Sequence, residues 1–241
     1  MKKRIFTSTE FYVGIVLILL CLLVQIKSGQ FFTGNNAVDL LRAFSVPAMF
    51  CIGEMFVIIT GGVDVSFPAI ASMAMFIVCS QLEHVTDNPL LFFAAAMLIG
   101  LCVGLVNGFI IARFRFPALI VTLGTSSICF GIMQGVFKSR EYPLCQPLYE
   151  LGQMKLLSVT NPVSGLTSDM PVGIILMVLL IFIGWFILER TMLGRGIYAI
   201  GGDVRAAQRA GFHVFKTIVF IYAFSGCMAG LIGVLRSTML L

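Results

Sequence analysis

The sequence predicts an all-α membrane protein, a polytopic bundle of transmembrane helices, and three observations carry that expectation. Charged residues make up 11% of the 241 positions, less than half of the roughly 25% typical of soluble domains. Hydrophobic residues make up 59%, and mean hydropathy is +1.03. The apolar residues also gather into runs near the ~20 residues that a helix needs to cross a bilayer.

Taken in order, the runs cover residues 10–26, 43–60, 67–82, 89–112, 117–137, 171–189 and 214–235, about seven spans in one transmembrane domain over 1–241. The third is short and suits a half-helix or re-entrant segment. Pro68, Pro89, Pro117 and Pro171 stand at helix entries, where a missing N–H costs least. The first run follows Lys2, Lys3 and Arg4 and lacks a small-x-small cleavage site, so it reads as a retained signal anchor. The last run is followed by no proper tail, as though the chain were cut short.

Basic residues set the orientation. With the N-terminus cytoplasmic, Lys2, Lys3, Arg4, Arg113, Arg115, Arg190, Arg195, Arg205, Arg209 and Lys216 fall inside. Lys27, Arg42, Lys138, Arg140 and Lys155 fall outside. The net charge of +5 therefore serves topology, and no basic face suggests nucleic acid. Two connections are long: an extracytoplasmic segment at 138–170 and a cytoplasmic loop at 190–213. Within the loop, Asp203 suits an N-cap and Gly211 a C′ residue for a short helix over 203–210.

Six of the seven cysteines lie in apolar runs, and only Cys145 lies in a polar loop. No Cys-x-x-Cys occurs, so the thiols read as small apolar filler rather than a disulfide framework or a metal site. His84 and His213 lie outside the spans, which argues against an intramembrane metalloprotease or a histidine relay. A phosphate loop, a His-Glu-x-x-His and a Gly-x-Ser-x-Gly are all missing. The chain reads as no enzyme, with no cofactor of its own.

Gly100, Gly104 and Gly108 make a smooth stripe, repeated by Gly131 with Gly135 and by Gly226 with Gly230. Such spacing lets helices approach closely in lipid. Glu54, Asn107, Thr122, Thr125 and Gln134 interrupt apolar runs. An ionisable group at depth faces a bundle interior or a pathway, and Glu54 suits a pathway and a structural pairing equally. Asn107 and the threonines suit bonds between helices. ITGGVDVSF at 59–67 breaks an apolar stretch with Gly61, Gly62, Asp64 and Ser66. Non-helical backbone at membrane depth needs protein or a water-filled path around it. Asp64 and Ser66 either cap the next helix or line that path. The basic helix with Arg205 and Arg209 suits either a lipid surface or a partner's groove.

These residues resemble a known family. ITGGVDVSF is similar to the TGG-[Ile/Val]-Asp-[Leu/Val]-Ser signature of bacterial sugar-type ABC transporter permeases, the ribose/xylose/arabinose/autoinducer-2 branch. GLVNGFIIARFRFPALIVTLGTSSICFGI at 104–132 resembles that family's second conserved segment. GRGIYAIGGDVRAAQRAGFHVFK at 194–216 resembles its coupling loop. The resemblance implies a permease subunit that works with a second permease subunit, an ATP-binding subunit that alone binds ATP, and a periplasmic or lipid-anchored solute-binding protein. It implies a substrate pathway near Gly61, Gly62, Asp64, Ser66, Asn107, Thr122, Gly124 and Thr125, to which the intramembrane Glu54 is added on its depth alone. It implies ATPase contacts at Gly202, Asp203, Arg205, Ala206, Ala207, Arg209 and Gly211. Family members usually have about ten spans, and many carry Val-Gly where Phe67-Pro68 stands here. The reading is a cytoplasmic-membrane permease importing a sugar or similar small polar solute. Its rivals are an ion-coupled secondary transporter using Glu54 and Asp64, and an ABC permease for nucleosides or amino acids.

Overall fold

The computed structural model describes residues 9–83, 85–138, 144–161 and 165–239. The basic cluster at residues 1–4, His84, Arg140, Pro143 and Pro162 lie outside the described residues. The elements in order are α1 (Thr9–Ser28), α2 (Gly34–Ile59), α3 (Phe67–Leu82), α4 (Pro89–Phe114), α5 (Ala118–Gly135) and α6 (Gln146–Gln153). They continue with β1 (Lys155–Thr160), β2 (Thr167–Pro171), α7 (Gly173–Arg190), α8 (Met192–Gly202), α9 (Val204–Arg209) and α10 (Val214–Met239).

Among the described residues, six helices are long and apolar enough to cross a membrane: α1, α2, α4, α5, α7 and α10. The third expected span, α3, has 16 residues and falls short of that length. The second begins at Gly34 rather than residue 43. Hydropathy marks only the apolar part of a helix, and the polar stretch GNNAVDLLR continues it without a breaker. Pro47 lies inside α2, so one backbone donor of this helix is missing.

The two connections hold more structure than their composition suggests. The segment at 138–170 contains α6 and a two-stranded hairpin of β1 with β2, whereas a sequence rich in proline reads as an irregular cap. The internal loop holds two helices instead of one. The Thr191 side chain caps α8 by accepting from the Gly194 N–H at 3.1 Å. Gly194 serves close approach, since a Cβ there would lie 2.1 Å from the Leu188 carbonyl oxygen.

The chain divides into two compact units, residues 1–43 with 156–170, and residues 44–155 with 171–241. In the first, Asn35 ties the hairpin to the start of α2. Its amide donates to the Val159 carbonyl at 2.7 Å and to the Leu166 carbonyl at 2.8 Å. Ser168 in turn donates to Asp39 at 2.9 Å.

In the second unit α10 is the central helix, with most of its residues buried. It packs antiparallel on α4 through glycine against backbone. A Cβ on Gly100 would stand 2.0 Å from the Gly226 carbonyl oxygen, on Gly104 2.1 Å from that of Tyr222, and on Gly230 2.0 Å from that of Ala96. The expected stripe is therefore a helix–helix contact. Gly131 and Gly135 differ, because nothing lies within 4 Å of a Cβ at either position. Apolar cores fill both ends of the unit. Phe92, Ala96, Leu148 and Val234 mark one, and Phe56, Val57, Ile197 and Ile221 the other.

Candidate functional site

The connection between α2 and α3 is built by local hydrogen bonds and one left-handed glycine. The N–H groups of Thr60 and Gly61 close the end of α2 on the carbonyls of Val57 and Ile58, at 3.1 and 2.9 Å. Gly61 sits at φ +82°, a conformation that glycine adopts without the steric cost of a Cβ. Gly62 passes close to α10, where a Cβ would lie 2.9 Å from the Tyr222 hydroxyl.

Asp64 then turns the chain into α3. Its Oδ1 accepts from the Ser66 N–H at 2.8 Å and from the Ser66 hydroxyl at 2.5 Å. This is an Asx-type local turn, in which a short carboxylate substitutes for a backbone acceptor. Ser66 occupies the N-cap position of α3 but makes no side-chain cap bond. Its hydroxyl instead accepts from the Asn107 amide on α4 at 3.1 Å. The Asn107 carbonyl accepts from the Thr125 hydroxyl on α5. Thr122, one turn earlier on α5, accepts from the Val65 N–H at 3.3 Å. Asp64, Ser66, Asn107 and Thr122 are all buried. One polar network thus joins the α2–α3 connection to α4 and α5.

Glu54 stands apart from that network. Among the described residues no side chain bonds its buried carboxylate oxygens or Ser225 Oγ on α10, and the Asp64 backbone lies close to Glu54. The Asp64 carboxylate is the charged group near Glu54. Both acids border a cavity of about 750 Å³, with Phe50, Met55, Ile59 and Phe67 among its walls. A site of that size falls within the ~300–1,000 Å³ of small-molecule pockets. Among the described residues, no cluster of three or more metal-ligating side chains occurs.

The structure gathers most of the expected pathway residues and separates one. Glu54, Gly61, Gly62, Asp64, Ser66, Asn107, Thr122 and Thr125 lie on or beside the connection. Gly124 is exposed, with nothing within 4 Å of a Cβ. One residue along a helix rotates the side-chain direction by about 100°, so Gly124 does not share the face of Thr125.

The internal loop is equally ordered. Asp203 caps α9 by accepting from the Ala206 N–H at 2.7 Å. Gly211 follows at φ +88°, a left-handed C′ position. Gly202, Asp203, Arg205, Ala206, Arg209 and Gly211 are exposed. Ala207 is only 2% exposed and packs with Ile200 and Val214. The expectation that Ala207 touches a partner is therefore corrected: it joins α9 to its own chain.

Gly201 escaped the sequence reading. A Cβ there would lie 1.9 Å from the Ile59 carbonyl oxygen and 3.6 Å from the Thr60 Cα. The end of α8 therefore rests directly on the backbone where α2 stops. The signal lay in the pair Gly201–Gly202, which reads as a flexible loop until its neighbour is known. Tyr222 and Ser225 were also missed, as residues of an apolar run.

A family model described as branched-chain amino acid transport system / permease component matches residues 36–241. The chain is 31% identical over 227 residues to the ribose import permease protein of Haemophilus influenzae, covering 94% of this chain and 68% of that protein. It is 29% identical to the ribose import permease protein of Escherichia coli K12, covering 92% and 67%. It is 27% identical to the D-allose transport system permease protein of the same strain, covering 94% and 66%. No solved structure matches the chain. With that match across most of its length and six apolar helices, this chain belongs to the branched-chain amino acid transport system permease family and is a multi-pass protein of the cytoplasmic membrane.

Proposed function

We propose that this chain is the membrane-spanning permease subunit of an ABC importer for a sugar or a similar small polar solute. The observation that carries the reading is the contact of Gly201 with Ile59, which puts the internal loop against the polar break. The similar proteins are permeases for ribose and allose, which favours a polyhydroxylated solute. A separate ATP-binding subunit binds ATP and presses on the exposed Arg205–Arg209 face. A second permease subunit and an extracytoplasmic solute-binding protein complete the assembly.

In this mechanism α9 receives the push and α8 transmits it. The two helices share the small core of Ile200, Ala207 and Val214, so they move together. Gly201 leaves no side chain between α8 and Ile59, and the displacement reaches the α2–α3 connection without slack. That connection is rich in hydroxyl, amide and carboxylate groups. They are bonded to one another in this structure. When they separate, the same donors and acceptors meet solute hydroxyls. Unpartnered Glu54 is the acceptor with most to gain, because a buried unsatisfied acceptor costs about 1–3 kcal/mol or more.

The test is uptake by proteoliposomes holding the full assembly. Expected is ATP-dependent sugar entry that survives a proton or sodium ionophore. Entry that needs no ATP and collapses with the ionophore would overturn the reading in favour of ion coupling. Replacing Arg205 and Arg209 by Ala should lower ATP-driven uptake while leaving solute binding to the binding protein unchanged.

A further inference from the structure

We infer that Cys79 and Cys145 form a reversible disulfide, a modification site that fastens α6 to the end of α3. The sequence reading treats all seven cysteines as filler, and it leaves Cys145 alone in a polar loop. The fold brings it to Cys79. The Cys145 thiol donates to the Cys79 carbonyl oxygen at 3.5 Å across 66 residues of chain, and the two thiols interact with one another. Each is 1% exposed, and both belong to one apolar cluster with Val78, Phe92, Leu148 and Val234. Cys129 and Cys227 are absent from that cluster. A disulfide needs its two Cα atoms about 4.4–6.8 Å apart, the separation this pair must reach to bond.

The compartment suits the chemistry. The distribution of basic residues puts the C-terminal end of α3 and all of α6 on the extracytoplasmic side, where bacterial disulfides form and persist. The oxidant is another disulfide, either a dithiol oxidoreductase of that compartment or a low-molecular-weight disulfide. The Cys145 thiol loses its proton, its sulfur attacks one sulfur of the oxidant, and the oxidant's other sulfur leaves as thiolate. The Cys79 thiolate then attacks the Cys145 sulfur of this mixed disulfide and expels the second oxidant thiolate. Two electrons pass to the oxidant, and the two protons lost by the cysteines are available to its released thiolates. Cys145 sits at the N-cap of the eight-residue α6, so opening of one short helix is enough to present it. Burial pushes its thiol up from the ordinary value, which makes the first attack slow at neutral pH and faster as pH rises.

The consequence is mechanical. Helix α6 lies on both α4 and α10, and α3 starts at the polar break. A bond between Cys79 and Cys145 ties the far end of α3 to the helices that must move past it. Oxidation should therefore slow any motion that shifts α3 against α4 and α10, and reduction should restore it.

The experiment incubates the full chain in lipid nanodiscs with oxidised glutathione, followed by non-reducing digestion and mass spectrometry. The expected product is a single cross-linked peptide pair carrying Cys79 and Cys145, removed by dithiothreitol. Cys79→Ser and Cys145→Ser should each abolish it, and Cys129→Ser and Cys227→Ser should each retain it. Finding both residues as separate glutathione adducts, or both unmodified, in the folded wild-type chain would overturn the inference. Because the wild-type chain alone decides this point, a serine variant that fails to fold changes nothing.

Discussion

At the scale of single residues, Glu54 is a costly side chain to bury. A charged side chain at mid-membrane costs at least about 2.5–3.5 kcal/mol on insertion scales, and among the described residues no side chain hydrogen-bonds Glu54 to offset it. Glu54→Leu should therefore raise the thermal midpoint of the detergent-solubilised chain while cutting solute uptake at least tenfold, about 1.4 kcal/mol in transport barrier. A leucine variant that is stabler and transports normally would show that this carboxylate has no role in the pathway. Asn107 is the opposite case, since its amide connects Ser66 to Thr125. Asn107→Leu removes one partner each from the buried Ser66 hydroxyl and the half-buried Thr125 hydroxyl and should cost about 1–3 kcal/mol. Thr125→Val removes one interhelical bond, for which about 0.6 kcal/mol is typical in membranes. Chemical unfolding in mild detergent should rank the two in that order. Each of these residues was visible in the sequence as a polar interruption of an apolar run. Their pairing was not, because hydrogen-bond partners on separate helices leave no periodic trace. Gly124 shows the reverse error: a neighbour in a motif need not be a neighbour in space.

The helices themselves make the same point about glycine. The stripe on α4 was readable from i+4 spacing, and so was its counterpart on α10. Their pairing follows from shape, since each Cβ position on one helix lies against a backbone carbonyl of the other. Gly104→Val puts a branched side chain where a Cβ already falls 2.1 Å from the Tyr222 carbonyl oxygen. The helices must then separate, losing contacts that packing alone supplies in lipid. The expected result is loss of folded protein on size-exclusion chromatography, at a cost above the ~1–3 kcal/mol of ordinary overpacking. Gly131→Ala should be nearly silent, because open space surrounds it. If the two variants behave alike, the packing assignment fails. Spacing cannot separate these cases, as the deciding fact is what lies opposite. The hairpin and α6 were illegible for another reason. They are short, polar and held by long-range bonds such as those of Asn35, and local composition carries none of that information.

For the molecule as a whole, the spans and the internal loop were legible because bilayer thickness and basic residues constrain them directly. The link between loop and break was not, for it depends on two backbones meeting. Gly201→Val is the test of that link. A Cβ there collides with fixed backbone at Ile59, not with a flexible side chain, so α8 must move off the end of α2. In the reconstituted assembly ATP hydrolysis should continue while uptake falls at least tenfold, about 1.4 kcal/mol in the transport barrier. Hydrolysis and uptake falling together, in a variant that still assembles, would mean that Gly201 serves docking of the ATPase and not transmission.

The Gly201 contact also sets an order of events during synthesis. Ile59 enters the membrane long before α8 has been made, so the end of α2 waits for that contact after α4 and α5 have already met the polar break. Until then Gly61, Gly62 and Asp64 are exposed backbone and charge at membrane depth, a condition that lipid tolerates poorly. Nascent chains stalled before α8 should therefore be cut readily by a membrane protease at residues 59–67, and chains stalled after α10 should resist it. The residue proposed to transmit the stroke in the finished protein is thus also one that reaches the end of α2 only late in the growing one.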